Sequence, residues 1–437
     1  MKSPGTHKRT REEGSRNRRR TELVLAIVLI LGLPLLAEAA TRVILRVQSG
    51  QWAQTREATT YRDRLVSSQV LFRRHPYLDI APRESGRFEI RRETMTAVGE
   101  DDPLAVSMSF NSHGYRSPER PVEKPDGVFR ILCAGGSTTM DTLAFVDEQS
   151  WPWLLEEELR GRGLEAEVWN AGVPGWTSLE SLVSLAIRDL ELEPDLVLLY
   201  QGINDMQPGA REPFDVDYER GHPEILRRAL GFGGEPPGLL GRSLLLEVLR
   251  DRLSGPPERA PLHDADDPAP VRKTLPAAAV AAYERNLRSF IAVAETHGAE
   301  TMLLTSALKV RTEHRDEDLA YIGWWLPWLE PNAAVRELDK LNGVVRELGA
   351  EGRALVADLE ADVGWRDEDF GDPMHVTSRD RFVAYLADRI LAAAERNGVA
   401  QAADSVATST ATKGSADAPE VASAPSNEGR TEASEDA

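Results

Sequence analysis

The chain has 437 residues and a formal net charge of −19, and its single cysteine is Cys133. A polypeptide of this length can form one large domain with appended segments, or two domains. Because nucleic-acid binding needs a basic surface, the acidic composition argues against that class of function. One cysteine excludes an intramolecular disulfide, and Cys133 is expected to be a small residue of the core.

A basic segment opens the chain, since residues 1–20 carry eight Lys or Arg and only two acidic residues. Such a segment cannot bury a core and is expected to be a solvated tail. Residues 21–45 follow as an apolar segment, in which the run 23–37 is interrupted only by one glycine and one proline. We predict a transmembrane signal anchor here; the alternative is a signal peptide cleaved near Ala37-Glu38-Ala39.

The charges that flank this apolar segment predict its orientation in a membrane. By the positive-inside rule, the basic tail stays in the cytoplasm and the remainder of the chain crosses to the other side. The predicted localisation is therefore a single-pass membrane protein with an extracytoplasmic main domain, or a secreted protein if the N-terminal segment is cleaved.

The rest of the chain divides by composition and pattern into an extension, a main domain and a tail. Residues 46–127 are irregular and charged, and are predicted to form an N-terminal extension packed on the main domain. The main domain is expected at 128–397, with insertions at 206–275 and 308–331. Residues 398–437 are rich in Ala, Ser, Thr and Glu, and are predicted to be a disordered acidic tail.

Within 128–397, short apolar runs alternate with helical patterns, as a parallel α/β sheet requires. Strands are predicted at 128–134, 166–169, 196–200, 300–305 and 354–358. Helices are predicted at 151–162, 178–190, 277–297, 332–348 and 378–396, with one more in the first insertion at 241–253.

Small or polar residues follow several of these strands, where open α/β folds bind ligands. These turns are Gly135-Gly136-Ser137, Asn170-Ala171-Gly172 and Gly202-Ile203-Asn204-Asp205, and Asp372-Pro373-Met374-His375 follows the last strand. Together they offer a serine, a histidine, a carboxylate and amide donors, which is the set that acyl transfer to a serine needs. The structural alternatives are that Ser137 caps a helix, that Asn204 stabilises its own turn and that His375 packs structurally.

In these four blocks, which occur in this order, the chain resembles the SGNH hydrolases, also called GDSL-type esterases and lipases. The resemblance spans 128–397 and implies a three-layer α/β/α sandwich with a five-stranded parallel sheet, similar to flavodoxin. It implies Ser137 as nucleophile, His375 as base and Asp372 as the carboxylate that orients the base. The oxyanion hole would consist of the backbone N–H groups of Ser137 and Gly172 and the side-chain amide of Asn204.

The sequence departs from the family at one position, because Gly136 stands where an aspartate usually precedes the serine. That aspartate is not part of the triad, so the departure leaves the catalytic set complete and bears on turn rigidity and substrate preference. The resemblance implies neither a metal nor another cofactor, and the remaining histidines show no metal-ligand spacing.

The functional hypothesis is a serine esterase that hydrolyses carboxylic esters, such as O-acetyl groups on a glycan, through an acyl-enzyme. A non-catalytic glycan- or partner-binding domain on the same fold is one alternative, and an O-acyltransferase is another. Related exported acetyltransferases carry the Asp-His pair ahead of the serine, whereas here it follows, which favours hydrolysis. Trp324, Trp325 and Trp328 in the second insertion could stack on a sugar or touch lipid, but are more often local core.

Overall fold

The structure is a computed structural model that describes residues 32–33, 35–40, 71–91, 104–219, 222, 269–309 and 315–396. The predicted basic tail 1–20, the C-terminal tail 398–437 and the predicted helix 241–253 lie outside these residues. So does most of the predicted membrane segment. No helix within the described ranges is both long enough and apolar enough to cross a membrane.

The described part of the N-terminal extension contains two antiparallel pairs of strands. The first pairs β1 (Phe72–His75) with β2 (Asp79–Pro82), and the second pairs β3 (Arg87–Arg91) with β4 (Leu104–Ser109). Apolar side chains of the extension share a small core with Trp176 of the main domain, and Trp176 Nε1 donates to the carbonyl of Ile80 at 3.2 Å. The extension thus packs beside the loop that follows the second strand of the main sheet.

The main domain is built on five parallel strands, β5 to β9. Their bounds are Phe129–Gly135, Ala166–Gly172, Leu196–Tyr200, Glu300–Leu304 and Leu355–Ala357. They lie in the order β6-β5-β7-β8-β9, so that β5, which leads into Ser137, has a parallel neighbour on each side. All residues of β5, β6 and β7 are buried, as is typical of central parallel strands, and the charged side chains of Arg130 and Glu167 pair at 2.8 Å within this core.

Nine helices occur in the described part of the domain. In chain order α1 to α9 are Ser137–Met140, Trp151–Gly161, Ser178–Ile187, Met206–Ala210, Ala277–Thr296, Asp316–Trp325, Ala334–Ala350, Leu359–Asp362 and Asp380–Arg396. Short 3₁₀ turns at Asp147–Gln149, Asp189–Leu192, Pro331–Ala333 and Asp367–Asp369 join some of them.

Two hydrophobic clusters cover the two faces of the sheet. One contains Leu132 of β5 with side chains of α3, α5 and α7, and the other contains Ile131 of β5 with side chains of α2 and α9. Helices on both faces of a parallel sheet give the three-layer α/β/α sandwich, so the predicted fold class is confirmed. Cys133 is buried in the second cluster, as expected of a core residue.

Candidate active site

A sharp turn at the end of β5 presents Ser137. Gly135 has φ of +155°, and a Cβ there would overlap the Thr139 side chain and lie 2.5 Å from the carbonyl oxygen of Tyr200. Only glycine fits that position. Ser137 is the first residue of α1, and its N-cap, Gly136, makes no side-chain capping bond. The Ser137 hydroxyl is therefore free of a capping role and turns toward the loop that carries His375.

Ser137, His375 and Asp372 form one hydrogen-bonded row. His375 Nε2 lies 2.7 Å from Ser137 Oγ, although 238 residues separate the two along the chain. On the other side of the ring, Nδ1 lies 2.9 Å from Asp372 Oδ1 and 2.8 Å from Oδ2. Because an ionised carboxylate only accepts, Nδ1 carries the ring hydrogen and Nε2 presents its lone pair to the serine hydroxyl.

The Asp372 carboxylate is held in its charged form by its own loop. Burial works against ionisation, but the adjacent His375 ring and the backbone N–H groups of Met374 and His375 outweigh it and lower the pKa of Asp372. Those N–H groups donate to Oδ1 at 3.0 and 2.9 Å. The three-residue spacing around Pro373 thus folds the carboxylate back onto the ring within one short loop.

Backbone bonds close this histidine loop on itself. The Gly371 N–H donates to the His375 carbonyl at 3.0 Å, and the Thr377 N–H donates to the Asp369 carbonyl at 2.7 Å. The buried Asp369 carboxylate in turn accepts the Arg366 N–H at 2.8 Å and pairs with Arg381. The loop that carries the His375 imidazole is therefore held in place by its own hydrogen bonds.

The Asn204 side chain lies beside the turn that holds Ser137. Its Nδ2 donates to the carbonyl of Trp176 at 2.8 Å, and a Cβ on Gly136 would come within 2.5 Å of that nitrogen. The amide nitrogen has two hydrogens, so one remains for an anion formed next to Ser137. Gly136, the departure from the family pattern, therefore leaves the space that the amide fills.

Gly172 occupies a different place from the one that the sequence analysis assigned to it. Its N–H already donates to Asn170 Oδ1 at 3.0 Å, and a Cβ there would run into the backbone of α1 at Met140. Gly172 therefore packs under the helix that begins with Ser137, and its N–H is not free for an oxyanion. The β6 loop reaches the Asn204 amide three residues farther on, near Gly175 and Trp176.

Gly175 is a candidate backbone donor at this site, and it was not predicted from the sequence. It has φ of +82°, and its N–H has no acceptor among the described residues. It directly precedes Trp176, whose carbonyl accepts from Asn204. The second glycine of the segment Gly172-Val173-Pro174-Gly175 is the only sequence signal that could have indicated it.

Asp205 stabilises the turn next to Asn204. Its carboxylate accepts from the Ser178 backbone N–H at 3.1 Å and from the Ser178 hydroxyl at 2.5 Å. Burial raises the pKa of Asp205 to about 7, against the hydrogen bonds from Ser178, and the nearby Glu180 carboxylate adds to the increase. This buried group ties the start of α3 to the turn after β7.

Three other polar residues near the site carry no signal in the sequence. Trp325 Nε1 donates to Asn204 Oδ1 at 3.2 Å, and Arg379 pairs with Asp141 next to α1. Their positions follow from tertiary contacts between distant segments. Within the described ranges, no group of three or more His, Cys, Asp or Glu side chains is placed to hold a metal ion.

A known protein family matches the part of the chain that contains this site. Residues 133–379, more than half of the chain, match the GDSL-like Lipase/Acylhydrolase family. No curated protein matches the chain. Solved structures that align with it include a lipase/acylhydrolase from Enterococcus faecalis, with 18% identity over 60% of this chain and 94% of that one and a TM-score of 0.35.

Two further solved structures are similar at the same level. An acetylxylan esterase from Geobacillus stearothermophilus has 15% identity, covers 59% of this chain with 91% of its own and has a TM-score of 0.34. A GDSL-like lipase from Bacteroides thetaiotaomicron has 12% identity, covers 64% and 93%, and has a TM-score of 0.35. By its family match, the chain belongs to the GDSL-like lipases and acylhydrolases, the SGNH hydrolases, and is a serine hydrolase that acts on ester bonds.

Proposed function

We propose that Ser137, His375 and Asp372 hydrolyse a carboxylic ester through an acyl-enzyme. The observation that carries this proposal is the 2.7 Å contact between His375 Nε2 and Ser137 Oγ, with Asp372 bound to the opposite ring nitrogen. A serine hydroxyl is a weak nucleophile until a base removes its proton. The imidazole, held in one tautomer by the carboxylate, is placed to act as that base.

In the first half-reaction, Ser137 Oγ attacks the ester carbonyl while its proton moves to His375 Nε2. The carbonyl oxygen becomes an oxyanion, for which we propose the Ser137 N–H and the free Asn204 amide hydrogen as donors. The Gly172 N–H is already bonded to Asn170, so we propose the Gly175 N–H as the third oxyanion donor in its place. Collapse of the intermediate breaks the ester C–O bond, and His375 returns its proton to the departing alcohol.

In the second half-reaction, a water molecule attacks the acyl-Ser137 carbonyl and gives a proton to His375 Nε2. The same donors stabilise the second oxyanion, each being worth about 3–4 kcal/mol in enzymes where a donor has been removed. The carboxylic acid leaves, and the proton returns from His375 to Ser137 Oγ. Asp372 stays ionised throughout and stabilises the imidazolium in both half-reactions.

For the substrate class, we propose O-acetyl esters of a glycan. We also propose that the catalytic domain lies outside the cytoplasm and that residues 21–45 direct it across the membrane. The basic tail and the apolar run of the sequence support this localisation. A screen of acyl length and alcohol on the full chain tests the substrate, and hydrolysis of long-chain esters in preference to acetylated sugars would contradict it. A phosphatase fused after residue 60 is expected to be active outside the cytoplasm, and an inactive fusion would overturn the localisation.

The catalytic proposal is tested with a fluorophosphonate probe and p-nitrophenyl acetate. Wild-type protein should be labelled and should hydrolyse the acetate; Ser137→Ala should lose both, and His375→Ala should lose most of each. Ser112→Ala, which changes an exposed serine of the extension, is the matched control and should retain both. A wild-type protein that is folded but neither labelled nor active would favour the non-catalytic binding domain.

A further inference from the structure

The side-chain amide of Asn204 can adopt two orientations related by a flip, and only one of them can donate a hydrogen bond to an oxyanion. With Nδ2 toward Ser137 it can donate, whereas a flipped amide would place its carbonyl oxygen there and repel the anion. The two orientations have nearly the same shape, so packing alone does not select between them. The selection depends on the hydrogen-bond partners of the two ends of the amide.

Both ends of this amide have partners that fit only one orientation. The Trp325 indole N–H can only donate, and it lies 3.2 Å from Asn204 Oδ1. The Trp176 carbonyl can only accept, and it lies 2.8 Å from Nδ2. After a flip, two donors would face each other at Trp325 and two acceptors at Trp176. Each mismatch would leave buried polar groups without a bond, which is costly.

Trp325 is itself held by the helix that follows Asn204. Its carbonyl accepts from Gln207 Nε2 at 2.8 Å, and the Gln207 side chain is fully buried. The other end of the Gln207 amide lies 2.9 Å from His222 Nδ1. Trp325, at the end of α6 in the second insertion, is therefore bonded both to Asn204 and to Gln207. These two bonds connect the second insertion to the segment that follows β7.

From this arrangement we infer that Trp325 is a positioning residue, which keeps the Asn204 amide turned toward the oxyanion. Its indole is only 8% exposed, so it is not a stacking platform for a sugar, one of the roles considered for the three tryptophans. The second insertion thus contributes a residue that orients an oxyanion donor. The inference rests on the proposed function, since it concerns the same oxyanion hole.

The test is a double-mutant cycle on p-nitrophenyl acetate hydrolysis by the full chain. Trp325→Phe keeps an aromatic ring and removes the N–H donor, so kcat should fall about tenfold with KM nearly unchanged. Asn204→Ala should lower kcat about 10²- to 10³-fold by removing the donor itself. In the Asn204→Ala background, Trp325→Phe should lower kcat less than about twofold, because there is no amide left to orient.

Trp328→Phe is the matched control. It trims another buried indole of the same insertion, which packs under the Arg211 guanidinium 4.8 Å from the ring centroid. It should leave kcat within about twofold in both backgrounds. A loss of kcat as large as that of Trp325→Phe would show that general loosening of the insertion, and not orientation of the amide, lowers the rate.

Gln207→Met serves if Trp325→Phe does not fold, because it removes the bond to the Trp325 carbonyl at nearly constant volume. It should lower kcat in the wild type and have little effect in Asn204→Ala. Equal losses in both backgrounds, or an unchanged kcat in the wild type, would overturn the inference. A wild-type protein that is folded but inactive would overturn both the proposed function and this inference. An active wild type whose kcat is unchanged by Trp325→Phe and Gln207→Met would overturn the inference alone.

Discussion

The guanidinium of Arg379 pairs with the carboxylate of Asp141 through two contacts, Nε to Oδ2 at 2.5 Å and Nη2 to Oδ1 at 2.7 Å. Asp141 ends the helix that Ser137 begins, and Arg379 lies four residues after His375. Asp141 also accepts the Trp151 N–H at 2.9 Å. This largely buried pair therefore joins the segment of the nucleophile to the segment of the base.

Arg379→Ala should destabilise the protein and slow its reaction with a fluorophosphonate. Removing one partner of a buried ion pair leaves an uncompensated charge, which typically costs about 3–5 kcal/mol. Urea unfolding measures this loss, and the labelling rate reports the contact between Ser137 and His375. The matched control is Arg389→Ala, which breaks the exposed pair with Asp362 and should cost less than about 1 kcal/mol. Equal losses in the two variants would contradict a special role for Arg379.

Asp372→Asn should abolish most of the activity while leaving the fold intact. An amide can present an N–H to His375 Nδ1, which stabilises the tautomer whose Nε2 carries hydrogen and cannot accept from Ser137. In a serine protease the corresponding change lowers kcat about 10⁴-fold, and a loss of this order is expected in the hydrolysis of p-nitrophenyl acetate. Glu368→Gln alters an exposed carboxylate near the same loop and should retain full activity. Activity within tenfold of the wild type in Asp372→Asn would argue against the triad.

Gly136→Ala should lower kcat through Asn204. Gly136 has φ of −90°, which lies outside the left-handed region that favours glycine. The added Cβ would lie 2.5 Å from Asn204 Nδ2 and must displace the amide. Loss of one oxyanion donor lowers kcat about 10²- to 10³-fold.

The control for this change is Gly343→Ala, in the interior of α7, where an added Cβ meets nothing within 4 Å. It should leave kcat unchanged and stabilise the helix by up to about 1 kcal/mol. An unaltered kcat in Gly136→Ala, with the variant folded, would contradict a catalytic role of the Asn204 amide.

Asp205 should make the stability of the wild type depend on pH in a direction opposite to that of most carboxylates. Its pKa is raised by burial to about 7, with Glu180 adding to the increase and Ser178 and His222 opposing it, whereas an unfolded aspartate has a pKa of about 3.9. Between these values the folded chain binds more protons than the unfolded chain. The stabilisation from this group is therefore present below about pH 4 and is lost as the pH rises to about 7.

This dependence is measured by urea unfolding of the wild type and of Asp205→Asn from pH 4.5 to 8. The free energy of unfolding of the wild type should decrease relative to that of the variant as the pH rises to about 7, and the difference should then level off. The absolute stabilities also differ, because Asn cannot accept all the bonds that Ser178 and Tyr218 donate to Asp205. A difference that is constant across this range would show that Asp205 titrates alike in both states.

The sequence by itself determined the fold class and the strand and helix alternation, and it indicated the three residues proposed as the triad. The apolar runs at 128–134, 166–169 and 196–200 are strands, and the helices at 151–162 and 277–297 differ from prediction by one residue at their ends. These features are local, because periodicity, glycine and proline act on the residues next to them. The Asp372–His375 pair is also local, since three residues around one proline bring it together.

Only the tertiary structure decided how the distant segments meet. The order β6-β5-β7-β8-β9 brings Ser137 to His375, and no nearby residue encodes that approach. The same holds for the bond of Trp325 to Asn204, which joins residues 121 positions apart. These contacts join residues that are far apart along the chain, so they depend on how the strands and helices pack across the whole sheet, whereas periodicity and turn residues act only on their neighbours.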